Sequence, residues 1–262
     1  MDNYNKPKTT LEISEPPFVA PCHQLTMDAP VRWLKLGWQD IKTAPKPSLT
    51  YGFLMLVFSY LIGFIAYEFG SFYMLMSLLS GFIFLGPILA IGLYSISCQI
   101  QVGLKPVLGY CIREGKRHLG NEGFFAVLLL IVLLIWARAT SIIHVFFPID
   151  ADPNWDDLIL FLAIMGVVGT IFASFIFCIS AFSLPMIMDR KVDMITAGIS
   201  SFNAVLNNKA VMLFWAFLIV LTIALSFLTG LLGLVVLLPL IGHATWHGYQ
   251  ETIDASAWPK HD

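Results

Sequence analysis

The stretch Leu231–Tyr249 reads LLGLVVLLPLIGHATWHGY and is the last hydrophobic segment of the chain. It passes from an unbroken aliphatic run, through Pro239, to two histidines, a tryptophan and a tyrosine. Residues four apart are neighbours on a helix, so His243, His247 and Glu251 share one face. No other stretch concentrates as many side chains capable of chemistry. It predicts a helix end held at a membrane surface, with the rest of the chain as its scaffold.

The composition argues for a membrane protein. Apolar residues make up 58% of the chain and charged residues 12%, and the mean hydropathy is +0.79. This leaves too little polar surface to cover a water-soluble globule. The 4 cysteines lack the spacing of a zinc module or a disulfide framework. No phosphate-binding loop, dinucleotide fingerprint or basic domain is present, so nucleic acid is not an expected partner.

The hydrophobic pattern predicts an all-α fold, a polytopic membrane helical bundle with six transmembrane helices and cytoplasmic amphipathic linkers. The predicted membrane segments are, in order, Leu49–Tyr67, Phe72–Cys98, Gly123–Phe147, Leu158–Met188, Val211–Leu228 and the segment from Leu231. They make up a membrane domain over residues 47–253. The second segment is longer than the roughly 20 residues that a bilayer requires, so we expect it to tilt or kink.

Charge placement orients these segments. All but one of the 15 Lys and Arg residues lie in the N-terminal tail, the amphipathic linkers or the C-terminal end. The charged residues of the three opposite loops are all acidic, namely Glu68, Asp150, Asp152, Asp156 and Asp157. Six spans place every basic region on one side, and the positive-inside rule makes that side cytoplasmic. Both termini are therefore predicted to be cytoplasmic.

Residues 28–46 predict an interfacial amphipathic helix, which Asp28 caps and Pro30 begins. Its predicted apolar face consists of Val31, Leu34, Trp38 and Ile41. The opposite face is basic, and Trp33 and Trp38 suit the headgroup level of a membrane. Packing of this helix on the protein's own membrane domain is an alternative that is compatible with membrane contact. Residues 1–27 and 254–262 are predicted to be cytoplasmic tails, the first of them disordered.

A second amphipathic linker precedes the fifth membrane segment. Ile195, Ile199, Phe202 and Leu206 have the spacing of one helical face. Asp189 and Arg190 lie just before this linker, where the fourth segment reaches the cytoplasm. A local salt-bridge network is the simplest interpretation of their mixed charges, and a role in gating or docking is the alternative.

Two long runs resemble a known family. They are LPMIMDRKVDMITAGISSFNAVLNNKAVMLFWAFLIVLT and GLLGLVVLLPLIGHATWHGYQE, and RWLKLGWQDIKTAPKPSLTYG and GFIFLGPILAIGLYSIS agree in the N-terminal half. Together they resemble an uncharacterised family of bacterial integral membrane proteins, a domain of unknown function. Some of its members are described as cytochrome c oxidase components. The resemblance implies a helical protein of the bacterial inner membrane and brings no catalytic residue.

The histidines test the oxidase description. A haem-copper catalytic subunit needs many intramembrane histidines for two haems and a copper. The chain has 6 histidines in all, and only His144, His243 and His247 lie in predicted membrane segments. An oxidase relationship would therefore make this chain an accessory or assembly partner.

The last helix offers the best candidate metal site. His243, His247 and Glu251 have the side chains and spacing for zinc, copper or iron. In the alternative interpretation the histidines, Trp246 and Tyr249 lie at headgroup depth and hydrogen-bond lipid or the linkers. Asparagines of the linkers could then support the histidines. No cofactor is otherwise expected.

Arg138 is the one basic residue within a predicted membrane segment away from the cytoplasmic regions. A charge at the bilayer centre costs about 3 kcal/mol on insertion scales, so Arg138 requires a partner or a route to water. A polar pathway with His144 and Glu68 is one interpretation. The other is that Arg138 extends to the outer interface.

These observations predict an integral inner-membrane protein without evident catalytic machinery. It would serve as an accessory, assembly or structural component of a membrane complex, with a respiratory oxidase as candidate partner and the lipid bilayer around it. Two alternatives stay open: a small-solute transporter or channel, and a metal- or haem-binding membrane protein that uses the last helix.

Overall fold

The computed structural model describes residues 16–69, 90–107, 119–146 and 154–260, except the side chains of residues 66, 69, 119–122, 124–126 and 144. The helices are α1 (Ala29–Thr43), α2 (Pro45–Phe69), α3 (Ile91–Gln101), α4 (Leu119–Phe146), α5 (Trp155–Ser180), α6 (Ser183–Asp189), α7 (Met194–Asn207), α8 (Lys209–Leu228) and α9 (Leu234–Thr252). Two isolated β-bridges and no strand accompany them within these ranges. The predicted all-α class is confirmed for the described residues.

Within the described residues, three stretches are long and apolar enough to cross a bilayer: Pro45–Ile65, Trp155–Asp189 and Lys209–Leu228. They correspond to the predicted first, fourth and fifth segments. The predicted third segment falls on α4, whose apolar stretch Val127–Ile143 is shorter. Residues 70–89 of the predicted second segment lie outside the described residues. The number of spans therefore stays a prediction.

The last predicted segment differs most from a membrane span. Its helix, α9, begins at Leu234 and is not among the three long apolar stretches. Its C-terminal half is buried inside the protein, with His243 and Trp246 each 0% exposed. The polar residues that interrupt its apolar run have protein partners, because α9 packs along α1, α2 and α3.

The core lies at one end of the bundle. Trp33 of α1 meets Phe182 edge-on at 6.3 Å and Trp215 of α8 edge-on at 5.4 Å between ring centroids. Trp246 and Tyr249 of α9 stand 5.7 Å apart in the same core. Buried aromatic side chains of this size dominate packing energy. We call this aromatic core the packed end.

The membrane stretches present the opposite picture. Only 11% to 22% of the residues in their apolar windows are buried. Their outward side chains are large and apolar, such as Phe64 on α2, Ile171 on α5 and Leu213 on α8. Such surfaces suit hydrocarbon rather than water. The fold therefore joins lipid-facing helices to a compact packed end.

Helix α1 is rotated relative to its predicted orientation. Its buried face carries Trp33, Gly37 and Asp40, while Val31 and Trp38 of the predicted apolar face are exposed. The Trp33 indole is 0% exposed, so it packs inside the protein and does not reach lipid headgroups. The reason is close packing: a Cβ on Gly37 would lie 2.8 Å from the Ala244 nitrogen of α9. The alternative of packing on the protein's own helices is thus what the structure shows.

The second half of the predicted disordered tail is tied down. The Leu25 amide donates to Asn208 Oδ1 at 2.8 Å, and Asn208 Nδ2 donates to the His23 carbonyl at 3.0 Å. The His23 amide also donates to the Thr252 carbonyl at 2.8 Å. These bonds satisfy backbone groups that sequence reasoning left to water. Residues 16–27 therefore lie across the packed end.

Asp193 defines where α7 begins. Its Oδ1 accepts hydrogen bonds from the amides of Ile195 at 2.9 Å and Thr196 at 3.0 Å. Burial raises the pKa of the Asp193 carboxyl, but hydrogen bonds from these two residues outweigh it and lower the pKa below its ordinary value. This is the arrangement of a strong helix N-cap.

A tight contact joins α2 to α9, and Gly52 makes it possible. A Cβ at Gly52 would collide with the backbone of Val235, whereas a Cβ at Gly63 on the same helix would meet nothing within 4 Å.

We expect Gly52→Ala to destabilise the protein by about 1–3 kcal/mol, because the backbone of α2 or α9 must move to make room for the methyl group. Gly63→Ala is the matched control and should leave stability unchanged or slightly raised. Thermal unfolding in detergent measures both, and equal midpoints would contradict the close helix contact.

Candidate functional site: a buried histidine–carboxylate chain

Five polar side chains from four helices meet next to the packed end. Asp40 is near the end of α1, Ser48 is in the first turn of α2, and Ser97 is on α3. His243 and His247 are one turn apart on α9. Ser48, Ser97 and His243 are each 0% exposed, and Asp40 is 6% exposed. We call these five residues the Asp40 chain.

The five side chains form a continuous series of hydrogen bonds. Ser48 Oγ lies 3.0 Å from His243 Nε2, and His243 Nδ1 lies 2.7 Å from Ser97 Oγ. Ser97 Oγ donates to Asp40 Oδ2 at 2.7 Å. His247 Nε2 is 2.9 Å from the same carboxylate oxygen. All four distances are those of well-formed hydrogen bonds.

The direction of these bonds follows from the number of hydrogens. A serine hydroxyl has one hydrogen, and that of Ser97 goes to Asp40, so Ser97 Oγ must accept from His243 Nδ1–H. The other nitrogen of a neutral His243 is then an acceptor, which receives the Ser48 hydroxyl hydrogen. His247 donates through Nε2–H to Asp40. Every donor therefore points along the chain toward the Asp40 carboxylate.

The chain also fixes helix positions. A buried polar group without a partner costs about 1–3 kcal/mol, and a buried charge costs more. Moving α1, α2, α3 or α9 away from the others would break at least one of these bonds inside a low-dielectric interior. The Asp40 chain is thus a polar link among four helices, beside the apolar packed end.

Glu251 belongs to a separate cluster. Its carboxylate pairs with Arg32 and accepts a hydrogen bond from Trp33 Nε1 at 2.8 Å. Arg32 also pairs with Asp28. The hydrogen bonds to Glu251 and Asp28 raise the pKa of the Arg32 guanidinium. This cluster holds the start of α1 against the end of α9.

The predicted metal residues therefore have different neighbours. His243 and His247 face Asp40, whereas Glu251 faces Arg32 and Trp33. Within the ranges that the structure describes, no group of three or more His, Cys, Asp or Glu side chains is placed to hold a metal ion. Binding of a metal by the three predicted residues stays a prediction, and the structure gives Glu251 other partners.

The remaining predicted residues of the last helix are buried in protein rather than exposed to lipid. Tyr249, 1% exposed, donates from its hydroxyl to Asp189 Oδ2 at 2.9 Å. Arg190 Nε donates to the same oxygen at 2.9 Å, and its Nη1 donates to the Trp258 carbonyl at 3.0 Å. Trp246 Nε1 donates to a side-chain oxygen of α3 at 3.0 Å. The charges at the end of α6 thus bind α9 and the C-terminal tail.

The structure describes only some of the candidate residues in the predicted membrane segments. Arg138 is exposed on the surface of α4, which agrees with a side chain that extends to the interface. The His144 side chain lies outside the described residues, so the polar pathway with Arg138 and Glu68 stays a prediction.

Sequence reasoning missed Asp40, Ser48 and Ser97. It assigned linker asparagines as supports for the histidines, but Asn208 holds the N-terminal segment and Asn203 and Asn207 lie beside Cys22. One signal was present. Trp33, Gly37 and Asp40 recur at helical spacing, and a glycine between them permits the close approach that buries an acid.

The Asp40 chain predicts which substitutions lower the stability of the protein. Asp40→Asn should lower the free energy of unfolding by about 2–4 kcal/mol, because the new amide offers Ser97 and His247 a weaker and partly mismatched partner. Adding His247→Gln to this variant should then cost less than His247→Gln alone, since the two residues share one bond. Asp156→Asn, on an exposed carboxylate, should change stability by no more than about 0.5 kcal/mol. Thermal unfolding of the purified variants checks these values, and strictly additive effects would rule out the bond.

Comparison with known proteins agrees with the membrane assignment. Residues 74–189 match the family model "Predicted integral membrane protein (DUF2189)". This range runs from before α3 to the end of α6 and includes Ser97, but not the other members of the Asp40 chain. No curated protein and no solved structure matches the chain. The predicted resemblance to an uncharacterised family is confirmed over residues 74–189, which match the model of this family of predicted integral membrane proteins.

Proposed function

We propose that this protein is a non-enzymatic accessory, assembly or structural component of a membrane complex. One observation carries the proposal. The side chains that look most capable of chemistry, His243, His247 and their carboxylate partner Asp40, bind one another across four helices. Three members of the Asp40 chain are 0% exposed, so their arrangement favours holding helices over receiving a substrate.

The packed end supports this role. The N-terminal segment, α1, α6, α7 and the end of α9 form one layer joined by aromatic packing and hydrogen bonds. A rigid surface on lipid-anchored helices is suited to docking, because little side-chain and loop ordering opposes association. A respiratory oxidase is the candidate partner that the family resemblance suggests.

We also propose six spans in a bacterial inner membrane, with both termini cytoplasmic. The charge asymmetry of the sequence supports this orientation. A second support is that the two ends of the described chain meet. The Asp254 amide donates to the Pro21 carbonyl at 2.9 Å, and the backbones of Cys22 and Ile253 form an isolated antiparallel β-bridge. Ends on the same side require an even number of crossings.

Cysteine labelling tests this topology. In a chain with its native cysteines replaced by alanine, Asp156→Cys should react with an impermeant maleimide on intact spheroplasts. Ser256→Cys should react only after the membrane is permeabilised. Both positions are exposed, so access depends on the side of the membrane. The parent without cysteine controls for background, and the reverse pattern would invert the proposed orientation.

Co-purification tests the accessory role. The tagged protein, expressed at its native level, should be recovered from mild detergent with a fixed set of membrane proteins, quantified by mass spectrometry. An unrelated membrane protein with the same tag is the control for chance association. Recovery of the protein alone under several mild detergents would contradict a role in a complex.

Transport of protons or a small solute is the second candidate function. The hydrogen bonds of the Asp40 chain all run in one direction, toward the Asp40 carboxylate. This favours transport, because rows of buried Asp and His side chains form proton relays in pumps and transporters. The same purified protein in lipid vesicles distinguishes the two functions. Proton uptake that is present in the native protein and absent in Asp40→Asn would favour transport over the accessory role.

A further inference from the structure

Helix α7 buries small residues and exposes large apolar ones. Its buried face consists of small residues, namely Thr196, Ala197, Gly198, Ser200, Ser201, Ala204 and Val205. Four of its large apolar residues point outward, with Ile195 59%, Ile199 38%, Phe202 38% and Leu206 44% exposed. A water-facing amphipathic helix would show the reverse pattern.

Specific hydrogen bonds hold α7 in this rotation. Ser200 Oγ accepts from the Ala20 amide at 2.9 Å. Ser201 Oγ accepts from the Phe182 amide at 3.1 Å and donates to the Cys178 carbonyl at 2.9 Å. Turning the large residues inward would leave these buried backbone groups unpaired. These hydrogen bonds therefore fix the apolar face of α7 on the outside of the protein.

An apolar groove lies where this face meets the membrane helices. It has a volume of about 370 Å³ and is lined by Leu128 of α4, Ile179 of α5 and Met194, Gly198, Ile199 and Phe202 of α7, among others. This volume is within the range of small-ligand sites. No charged side chain lines the groove, and Gly198 adds no side chain to its wall.

The position of the groove matches a membrane boundary. Asn154 caps α5 beside Asp156 and Asp157, so that end of the helix faces water. The hydrocarbon core is about 30 Å thick, and about 20 helical residues cross it. Counting from Leu158, this length ends near Ile179. Beyond that point the chain from Ser180 to Met188 is buried in the packed end.

We propose that this groove binds one acyl chain of a membrane phospholipid. The groove is continuous with the exposed apolar faces of α4 and α5, so a lipid of the adjacent leaflet enters it without leaving hydrocarbon. Because the acyl chain stays in an apolar environment, van der Waals contacts of its methylene groups with Phe202 and Ile199 hold it in the groove. The lipid thereby covers the outward face of α7 and seats the packed end on the bilayer.

A lipid with a diazirine in its acyl chain tests this site. After illumination of the reconstituted protein, mass spectrometry should find adducts on the 194–206 segment of α7. Adducts on Pro45–Ile65 are the internal positive control, because that stretch is long and apolar enough to cross a bilayer. Labelling of Pro45–Ile65 without labelling of α7 would overturn the proposal.

Two glycine variants distinguish the groove from general lipid contact. Gly198→Leu fills the groove and should lower α7 labelling roughly tenfold relative to Pro45–Ile65, because the methylene groups of the lipid lose their van der Waals contacts with the groove. Gly166→Leu adds the same side chain on α5, where a Cβ meets nothing within 4 Å, and should change nothing. Unchanged labelling in Gly198→Leu would mean that α7 touches bulk lipid and that the groove is not a site.

A milder variant guards against misfolding of Gly198→Leu. A Cβ at Gly198 meets only Ile179 Cγ2, at 3.5 Å, which is an ordinary contact. Gly198→Ala should therefore fold normally and show partial loss of labelling. In native membranes, a photoreactive amino acid in place of Phe202 that crosslinks α7 to another protein and not to lipid would show that a protein occupies the groove, and would overturn the lipid assignment.

Discussion

The buried carboxylate of Asp40 is the constraint on which the arrangement of α1, α2, α3 and α9 depends. A carboxylate inside a protein is tolerated only when donors surround it. Those donors come from Ser97 and His247, and His243 and Ser48 extend the series. Each helix must therefore keep its position for the others to remain satisfied. Apolar packing alone would allow many rotations of these helices, whereas directed hydrogen bonds allow few.

The same constraint separates the molecule into two environments. Next to the Asp40 chain, Trp33, Trp215 and Trp246 are almost fully buried in one aromatic core. Away from it, the long apolar helices bury only 11% to 22% of the residues in their apolar windows. Association of helices within lipid lacks the hydrophobic driving force that acts in water. The packed end therefore supplies much of the organisation that the membrane helices cannot supply for themselves.

This division explains why chemically capable groups do not by themselves indicate catalysis here. Two histidines one turn apart resemble a metal site when only their spacing is considered. In the folded chain they are partners of a carboxylate from another helix, and Glu251 is a partner of Arg32. Both clusters join α1 to α9. Helix α7 shows the converse case, in which apolar residues that resemble a core face form the outer surface.

The sequence by itself determined the class of the protein and much of its local structure. Apolar runs of membrane length identify helices whatever surrounds them, because every backbone group in lipid must bond within its own helix. The i, i+4 spacing placed His243 and His247 on one face for the same local reason. Only the tertiary structure decided that Asp40, Ser48 and Ser97 meet these histidines, because they come from separate helices with no fixed spacing between them. It also decided which faces of α1 and α7 are buried, since backbone approach at Gly37 and hydrogen bonds at Ser200 and Ser201 outweigh the apolar pattern.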